Sequence, residues 1–478
     1  MSEITKKIRG IRFNPLRSPN KDVLWDRNPR AYARGMNACS NILESGRKPK
    51  GLRVLGGFTP NKLKLVFRSL RHRNFRLFFS GQLVSLVGTW MQTVAISWFV
   101  YRLTNSVFIL GAVAFCSQIP SFFITPFAGV FIDRANKHKM LVVTQTLSML
   151  QAFALFLLAF SNLKLVWLVI ALSLFLGLVN SFDIPARQSF IVEMVERKQD
   201  LGNAIALNSL MFNAARLIGP SIAGILIGTI GEAGCFFINA LSFLAVIAAL
   251  LAMKIPHRKK EKHTHILEDL KEGFHYAFGV LPIRFILILL SVMSLVGMSY
   301  AVLMPVFAKQ ILGGGPHTFG FLMAAIGLGA LCGTLYLASR KSILGLVKII
   351  AFSMAVFGCG LILFSLSRAL WLSLSILFIT GFAMMVQMAS SNTIIQSIIE
   401  DDKRGRVMSF YAMSFIGTAP FGSLIAGSLG AKIGAPLTVA LGGGCCFVAA
   451  LVFAFKIPVF RKEIHPIYVK MGIFPPAS

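Results

Sequence analysis

Long apolar segments are the feature of this sequence that most constrains its fold. Between residues 75 and 457, about twelve mainly apolar runs follow one another. Each is long enough for a helix to cross the hydrocarbon of a bilayer, which takes roughly 20 residues. The runs are too long for membrane strands and lack their period-two alternation. Only 14% of the residues are charged, against about 25% in soluble proteins. The sequence therefore predicts an all-α membrane protein.

The predicted spans fall into two groups of six, so we expect twelve transmembrane helices in two six-helix bundles. The first bundle covers 75–255 and the second covers 284–458, with a cytoplasmic linker at 256–283. A basic extension over 1–74 is expected to be largely disordered, with an interfacial helix near 61–73, and 459–478 form a tail. The predicted spans are 75–101, 106–128, 140–160, 164–183, 203–230, 233–254, 285–308, 317–338, 344–366, 369–396, 407–430 and 435–457.

The distribution of lysine and arginine predicts the orientation, because these residues favour cytoplasmic loops. The chain has 48 of them, and very few fall in the predicted outward loops. Both termini are therefore expected in the cytoplasm. The net charge of +30 is explained by this topology and by a basic extension beside anionic lipid headgroups. We expect the lipid bilayer, and not nucleic acid, as a partner. The outward residues are Arg102, Lys164, Lys309, Arg368 and Lys432.

The two halves share short sequence matches. The segment GPSIAG (219–224) corresponds to GSLIAG (422–427) in the fifth helix of each half. The segment RQSFIVE (187–193) corresponds to IQSIIED (395–401), each expected between the fourth and fifth helices. Two six-helix units with the same order and direction are parallel repeats about an axis normal to the membrane.

The segment GVFIDRANKHK (129–139) resembles the cytoplasmic signature G-x-x-x-D-R-x-G-R-K of the major facilitator superfamily. Asn136 replaces the signature glycine, and we expect it to have left-handed backbone, which asparagine tolerates. The segments NFRLFFSGQLVSLVGTWMQTVAISWFVY, FDIPARQSFIVEMV and NAIALNSLMFNAARLIGP resemble the bacterial branch that contains enterobactin-exporter-like and drug-efflux-like permeases. The signature positions that match are Gly129, Asp133, Arg134 and Lys137.

This resemblance implies the major facilitator fold in a bacterial inner membrane. It also implies secondary transport of a small-molecule substrate by alternating access, most often export by proton exchange. Separately, the cysteines and histidines show no metal-ligand spacing, and the sequence has no HExxH, phosphate-binding loop or GxSxG motif, so we expect no cofactor, metal site or enzyme activity. The substrate class stays open between siderophore-like and amphipathic drug-like molecules. An uptake permease and a lysophospholipid flippase are alternatives. A membrane sensor or scaffold that transports nothing and acts through the basic extension is a further alternative. Met36 is an internal candidate for the translation start.

Arg216 is the most unusual residue within the spans, because polar groups there are costly and are candidates for function. It lies about thirteen residues, or roughly 20 Å, into the predicted fifth helix. Asn213, three residues earlier, can share its face. A planar guanidinium in a cavity favours carboxylate, catecholate or phosphate oxygens. The alternative is that backbone carbonyls and helix ends neutralise Arg216 and that it only organises packing.

Several uncharged polar residues lie on helices that we expect to line the pathway. Each could contact the substrate or form a hydrogen bond between helices. They are Gln92, Gln118, Asn180, Tyr300, Gln387, Asn392 and Tyr411.

Proton coupling usually needs a carboxylate buried in the membrane, and no acidic residue lies near the middle of a predicted span. Asp183, expected at the cytoplasmic end of the fourth helix, is the best candidate, with Arg187 as its partner. The alternative is an ion pair that gates the inward mouth. For Asp133 and Arg134 we expect a charge latch between helices.

Overall fold

The computed structural model describes residues 67–253, 275–340, 342–399 and 403–470. This part of the chain is built from helices joined by short turns. In chain order the main helices are α1 (Arg73–Thr104), α2 (Val107–Arg134), α3 (Lys137–Phe160), α4 (Val166–Met194), α5 (Leu201–Leu251), α6 (Leu281–Val292), α7 (Tyr300–Val306), α8 (Pro316–Ser339), α9 (Leu346–Leu366), α10 (Leu370–Ile398), α11 (Arg404–Ala412), α12 (Ala419–Ile433) and α13 (Ala435–Lys470).

Helix α5 contains two membrane crossings. Its 51 residues would extend about 76 Å at 1.5 Å per residue, more than twice the roughly 30 Å of bilayer hydrocarbon. Gly231 divides it, with φ 74° and ψ 177°, a conformation open to glycine because it has no Cβ. Before Gly231 the helix runs parallel to α1, and after it antiparallel. The contacts that show this are Ser69–Asn203 and Trp90–Gly219 before the break, and Arg102–Glu232 and Gly81–Val246 after it.

Two other spans are single crossings with internal π turns. Helices α6 and α7 join through a π turn at Met293–Gly297, and a second follows at Phe307–Ile311. Helices α11 and α12 join through a π turn at Met413–Gly417. The continuous crossings are Leu281–Ile311 and Arg404–Ile433. With α5 divided, the described residues contain twelve crossing segments, and the predicted fold class is confirmed.

The twelve segments pack as two bundles of six. In the first, α5 packs along α1 and α3, and α2 packs along α4. In the second, α10 packs along α8 and α9, and α13 packs along α9. The bundles meet where α5 contacts α8 and where α2 contacts α12. These two seams lie at corresponding positions in the two repeats, as parallel internal repeats require.

The crossing segments have two common ends. The end at which α1 begins is called the proximal end, and the opposite end is called the distal end. Gly231 and Gly434, both with positive φ, turn the chain at the distal end. The five basic residues of the predicted outward loops all belong to this end by their positions in the helices and turns: Arg102, Lys164, Lys309, Arg368 and Lys432.

Several proximal helix ends lie beyond their predicted limits. Helix α4 continues to Met194, so the expectation that Asp183 marks its end was wrong. The segment 187–193 is therefore helical and not a connection, and so is 395–398. Helix α2 likewise includes signature residues 129–134. A helix satisfies its own backbone hydrogen bonds, so it can continue past the hydrocarbon where hydropathy no longer marks it.

The predicted interfacial helix near 61–73 is described only from residue 67. There, Arg68–Arg71 form a 3-10 turn, and α1 begins at Arg73. Ser69 bonds to Asn203 at the start of α5, with its hydroxyl 2.8 Å from the amide oxygen. This contact favours a tight turn over a continuous helix. Residues 1–66 and most of the linker, 254–274, lie outside the described residues.

Candidate transport pathway

Arg216 lies halfway along the first crossing segment of α5 and is half-buried. Its Cζ atom is 5.6 Å from the centre of the Trp90 ring on α1. Its guanidinium is also close enough to the Tyr300 hydroxyl for an electrostatic interaction. Trp90 belongs to the first bundle and Tyr300 to the second. Two predicted site residues, Arg216 and Tyr300, are thus within electrostatic range of each other although they belong to different bundles.

The charge of Arg216 is not neutralised by a neighbouring acid. Among the described residues, no carboxylate forms an ion pair with Arg216 and no hydrogen bond to its guanidinium is present. A cation–π contact with the Trp90 ring supplies about 0.5–2 kcal/mol, and it is not a hydrogen bond. The donors of the planar fork therefore remain available to a ligand.

A close helix crossing fixes the position of Arg216. A Cβ added to Gly327 on α8 would lie 3.4 Å from the Arg216 carbonyl oxygen and 3.1 Å from the Leu217 Cα. Helices α5 and α8 therefore approach backbone to backbone at this level. Asn213 uses its amide within its own helix, donating to the Ser209 carbonyl at 2.9 Å.

Gln92 is part of a buried network within the first bundle. It donates to Gln151 Oε1 at 3.0 Å and accepts from Asn239 Nδ2 at 2.7 Å. Ser242 completes the network by donating to the Asn239 side chain at 3.1 Å. These bonds join three helices, and Gln92 is only 2% exposed.

The other uncharged candidates have different surroundings. Gln118 on α2 reaches Ser423 on α12 at 3.4 Å and so links the bundles. Gln387 is fully buried, and its Oε1 has no hydrogen-bond partner among the described residues. Tyr411 donates to the Met388 carbonyl at 3.1 Å. Asn392 accepts a bond from Gln396 on its own helix.

Asp183 lies in a polar site inside the first bundle. Its Oδ1 accepts hydrogen bonds from Thr144 at 2.8 Å and from Gln145 at 2.7 Å. Its Oδ2 is 2.5 Å from Arg187 Nη2, one helical turn further along α4. The predicted Asp183–Arg187 pair is thus present, and both carboxylate oxygens are satisfied. Asp183 is 2% exposed.

A small polar cavity of about 30 Å³ adjoins this pair. One water molecule needs about 10–15 Å³ of such space, so the cavity has room for two. Gln145 Oε1 is buried there and has no hydrogen-bond partner among the described residues, so it can accept a hydrogen bond from such a water. The cavity connects the Asp183 site with the Gln92 network, and Asn180 also lines it.

The signature loop makes its described contacts within the first bundle. Lys137 forms an ion pair with Glu193 on α4 at 3.0 Å, and His138 Nε2 lies 2.7 Å from the Leu250 carbonyl oxygen. Asn136 has φ −80°, so the expected left-handed backbone was wrong. Its side chain instead accepts from the Lys139 N–H and caps α3. Helix α2 ends at Asp133–Arg134, whose side chains lie outside the described part of the structure.

Two pairs of glycines close the distal half of the pathway. A Cβ on Gly224 would lie 2.9 Å from the Gly320 Cα, which joins α5 to α8. A Cβ on Gly427 would lie 2.7 Å from the Gly111 Cα, which joins α12 to α2. Gly224 and Gly427 end the matched segments GPSIAG and GSLIAG. The internal repeat therefore places one close backbone crossing on each bundle.

Two polar contacts at the distal end could not be predicted from the sequence. Lys309 donates to Asn105 Oδ1 at 3.1 Å, and its Nζ lies 5.5 Å from the Tyr101 ring centre, so it links the bundles. Arg102 holds Glu232 through two bonds of 2.8 and 3.1 Å. Charge counting identified these cations as outward residues, but their partners lie 130 and 204 positions away in the sequence.

The cross-bundle contacts described above lie at mid-span or in the distal halves of the helices. The pathway is therefore closed at its distal end, and Arg216 lies on the proximal side of this closure. Residues 65–468 match the transmembrane secretion effector family of the major facilitator superfamily. The chain belongs to this family. It is a multi-pass membrane transporter and not an enzyme, as the sequence predicted.

Relatives and solved structures agree with this assignment. The chain is 24% identical over 381 residues to the staphyloferrin A transporter of Staphylococcus aureus, covering 80% of this chain and 95% of that protein. It is 24% identical to the multidrug efflux pump Tap of Mycobacterium tuberculosis, covering 80% and 92%. The fold is similar to that of an inward-facing bacterial homologue of the lysosomal transporter Spinster, with a TM-score of 0.61 and 14% identity over 84% of this chain and 98% of that chain. The fold is also similar to that of an inward-facing bacterial homologue of the iron transporter ferroportin. The TM-score is 0.59 and the identity is 16%, over 80% of this chain and 98% of that chain.

Proposed function

We propose that this transporter exports a small organic molecule with an anionic group, by alternating access and in exchange for protons. The position of Arg216 carries the proposal. A permanent charge at mid-membrane persists where it serves function or finds a partner, and the described residues offer Arg216 no acidic partner. Trp90 of the first bundle contacts it, and Tyr300 of the second bundle lies within electrostatic range. An oxyanion beside an aromatic or apolar body matches this set of side chains.

Relatives favour export and narrow the substrate class. They include a siderophore transporter and a multidrug efflux pump, so a siderophore-like acid and an amphipathic drug-like acid both fit. Both offer oxygen acceptors for a guanidinium, which binds carboxylates through two parallel hydrogen bonds.

For the coupling ion, we propose protonation of Asp183. The carboxylate accepts three hydrogen bonds in the present state, from Thr144, Gln145 and Arg187. A proton on Asp183 would weaken its ion pair with Arg187, and this difference can couple proton binding to a change of conformation. Water in the adjoining cavity would give the proton access.

We also propose a bacterial inner-membrane location with both termini in the cytoplasm. The distal end has few lysines and arginines, and such ends face away from the cytoplasm. In this orientation the present state is closed outward and accessible from the cytoplasm, the side from which an exporter loads its substrate.

Transport into inside-out membrane vesicles tests direction and coupling together. A labelled anionic siderophore or acidic drug is added outside, and the vesicle lumen is made acidic. Export predicts accumulation that rises with the imposed gradient and stops when a protonophore is added. An uptake permease would instead release preloaded substrate under the same gradient. No gradient-dependent accumulation for any acid in the panel would contradict proton-driven export.

A further inference from the structure

An apolar groove runs along the side of the first bundle, and Arg216 is not among its lining residues. Helices α2 and α3 are consecutive but barely contact each other, and the gap between them is floored by α4. The groove has a volume of about 550 Å³, within the roughly 300–1,000 Å³ of small-molecule sites. Phe131 and Val143 on its rim are 60% and 55% exposed. It therefore opens sideways towards the bilayer.

Thr144 on α3 is a polar residue in the wall of the groove, but its hydroxyl is already used, since it donates to Asp183 at 2.8 Å. The floor is formed by hydrophobic side chains of α4 such as Phe175, Leu178 and Phe182. Apart from its proximal end, where Asn136 and Lys139 lie, the lining fits hydrocarbon.

One end of the groove is basic. Lys139 lies at the proximal lip, is exposed, and forms no ion pair within the described part of the chain. The neighbouring Lys137, by contrast, is paired with Glu193. An ammonium that no described carboxylate neutralises, at the mouth of a hydrocarbon groove, is complementary to an amphiphile with a negative headgroup.

The length of the groove matches one leaflet. From Asn136 to Leu147, its α3 wall rises about 16 Å at 1.5 Å per residue. Half of a bilayer's hydrocarbon is about 15 Å. An acyl chain entering from the proximal headgroup region would therefore end close to the middle of the membrane, where the groove ends.

We propose that this groove is a binding site for an anionic phospholipid of the proximal leaflet. One acyl chain lies between α2 and α3 against α4, and the phosphate contacts Lys139. The site is separate from the pathway at Arg216 and does not depend on the transported substrate.

Native mass spectrometry of the full-length protein tests the proposal. The protein is delipidated and then incubated with phosphatidylglycerol or with phosphatidylcholine that has the same acyl chains. Val143→Trp fills the groove, and Val448→Trp is its control, since Val448 is 58% exposed on α13. Lys139→Glu reverses the charge of the lip, and Lys164→Glu does the same at the exposed distal end. Both groove positions are exposed, so the substitutions leave core packing intact.

We expect one phosphatidylglycerol to remain bound, at least fivefold above phosphatidylcholine. Val143→Trp and Lys139→Glu should each lower it at least fivefold, and the two controls should not. Equal retention by Val143→Trp and Val448→Trp, or by the two lysine variants, would overturn the proposal. So would loss of substrate transport in Val143→Trp with lipid retention unchanged, which would assign the groove to the substrate instead.

Discussion

At the scale of single residues, the main question is how a guanidinium is accommodated in the middle of a membrane. Arg216 has an aromatic face from Trp90 on one side and the Tyr300 hydroxyl within electrostatic range. Neither neutralises its charge. The residue is half-buried at the interface of the bundles, where in the proposed function the anionic group of the substrate binds it.

Arg216→Lys keeps the charge but loses the two-pronged fork. Loss of one charge-assisted hydrogen bond, worth about 1.5–3 kcal/mol, should lower kcat/KM for an acidic substrate about 10- to 100-fold. Initial rates in inside-out vesicles measure this, with Arg76→Lys at an exposed position of α1 as control. Unchanged rates at normal membrane abundance would show that Arg216 has only a structural role.

Asp183→Asn should separate transport from the proton gradient. The amide cannot take up and release a proton, and it leaves Arg187 without its ion pair. Gradient-driven accumulation should fall at least tenfold, whereas exchange of labelled for unlabelled substrate continues. Glu193→Gln removes a carboxylate of the same bundle end that pairs with Lys137, and it should preserve the pH profile. An unaltered pH profile for Asp183→Asn would exclude Asp183 as the coupling site.

At the scale of elements, the distal closure depends on two glycine crossings. Bare backbones meet where Gly224 packs on Gly320 and where Gly427 packs on Gly111. Small residues at helix interfaces allow such an approach in membranes. Because the crossings come from matched positions in the two repeats, they should act alike.

Gly224→Val should hold the distal end open, because the new Cβ would lie 2.9 Å from backbone on α8. We expect spin labels at Lys164→Cys and Arg368→Cys, one on each bundle, to move apart, and transport to fall at least tenfold. Gly427→Val should do the same. Gly202→Val is the control, since no atom lies within 4 Å of a Cβ there. A label distance equal to that of the control would contradict a closing role.

Hydropathy predicted the twelve crossings because bilayer thickness sets a minimum apolar length. It failed at the proximal ends, as at Met194, because a helix needs no apolar side chains once it leaves the hydrocarbon. Arg216 could be identified from the sequence because it is a charged residue in the middle of a predicted span. The Asp183–Arg187 pair could be identified because two opposite charges four residues apart lie one helical turn from each other. The contact of Arg216 with Trp90 and the link from Lys309 to Asn105 depend on how the bundles meet, and no local pattern encodes that.

At the scale of the whole molecule, the structure corresponds to one state of the proposed alternating-access cycle. The bundles touch through the distal glycine crossings and through Lys309, while Arg216 and Tyr300 lie within electrostatic range of each other. Opening the distal end must break these contacts and form others at the proximal end. The substrate can shift this equilibrium only by binding the two states with different affinity. Arg216 and Tyr300 lie on opposite bundles and can supply that difference.

In the proposed function, Arg216 recognises the anionic group of the substrate. The most direct measurement compares transport of an acidic substrate and of its neutral methyl ester in inside-out vesicles, for wild type and Arg216→Gln. We predict that wild type prefers the acid at least tenfold and that Arg216→Gln loses the preference by slowing the acid alone. A preference for the acid that survives in Arg216→Gln would contradict the claim.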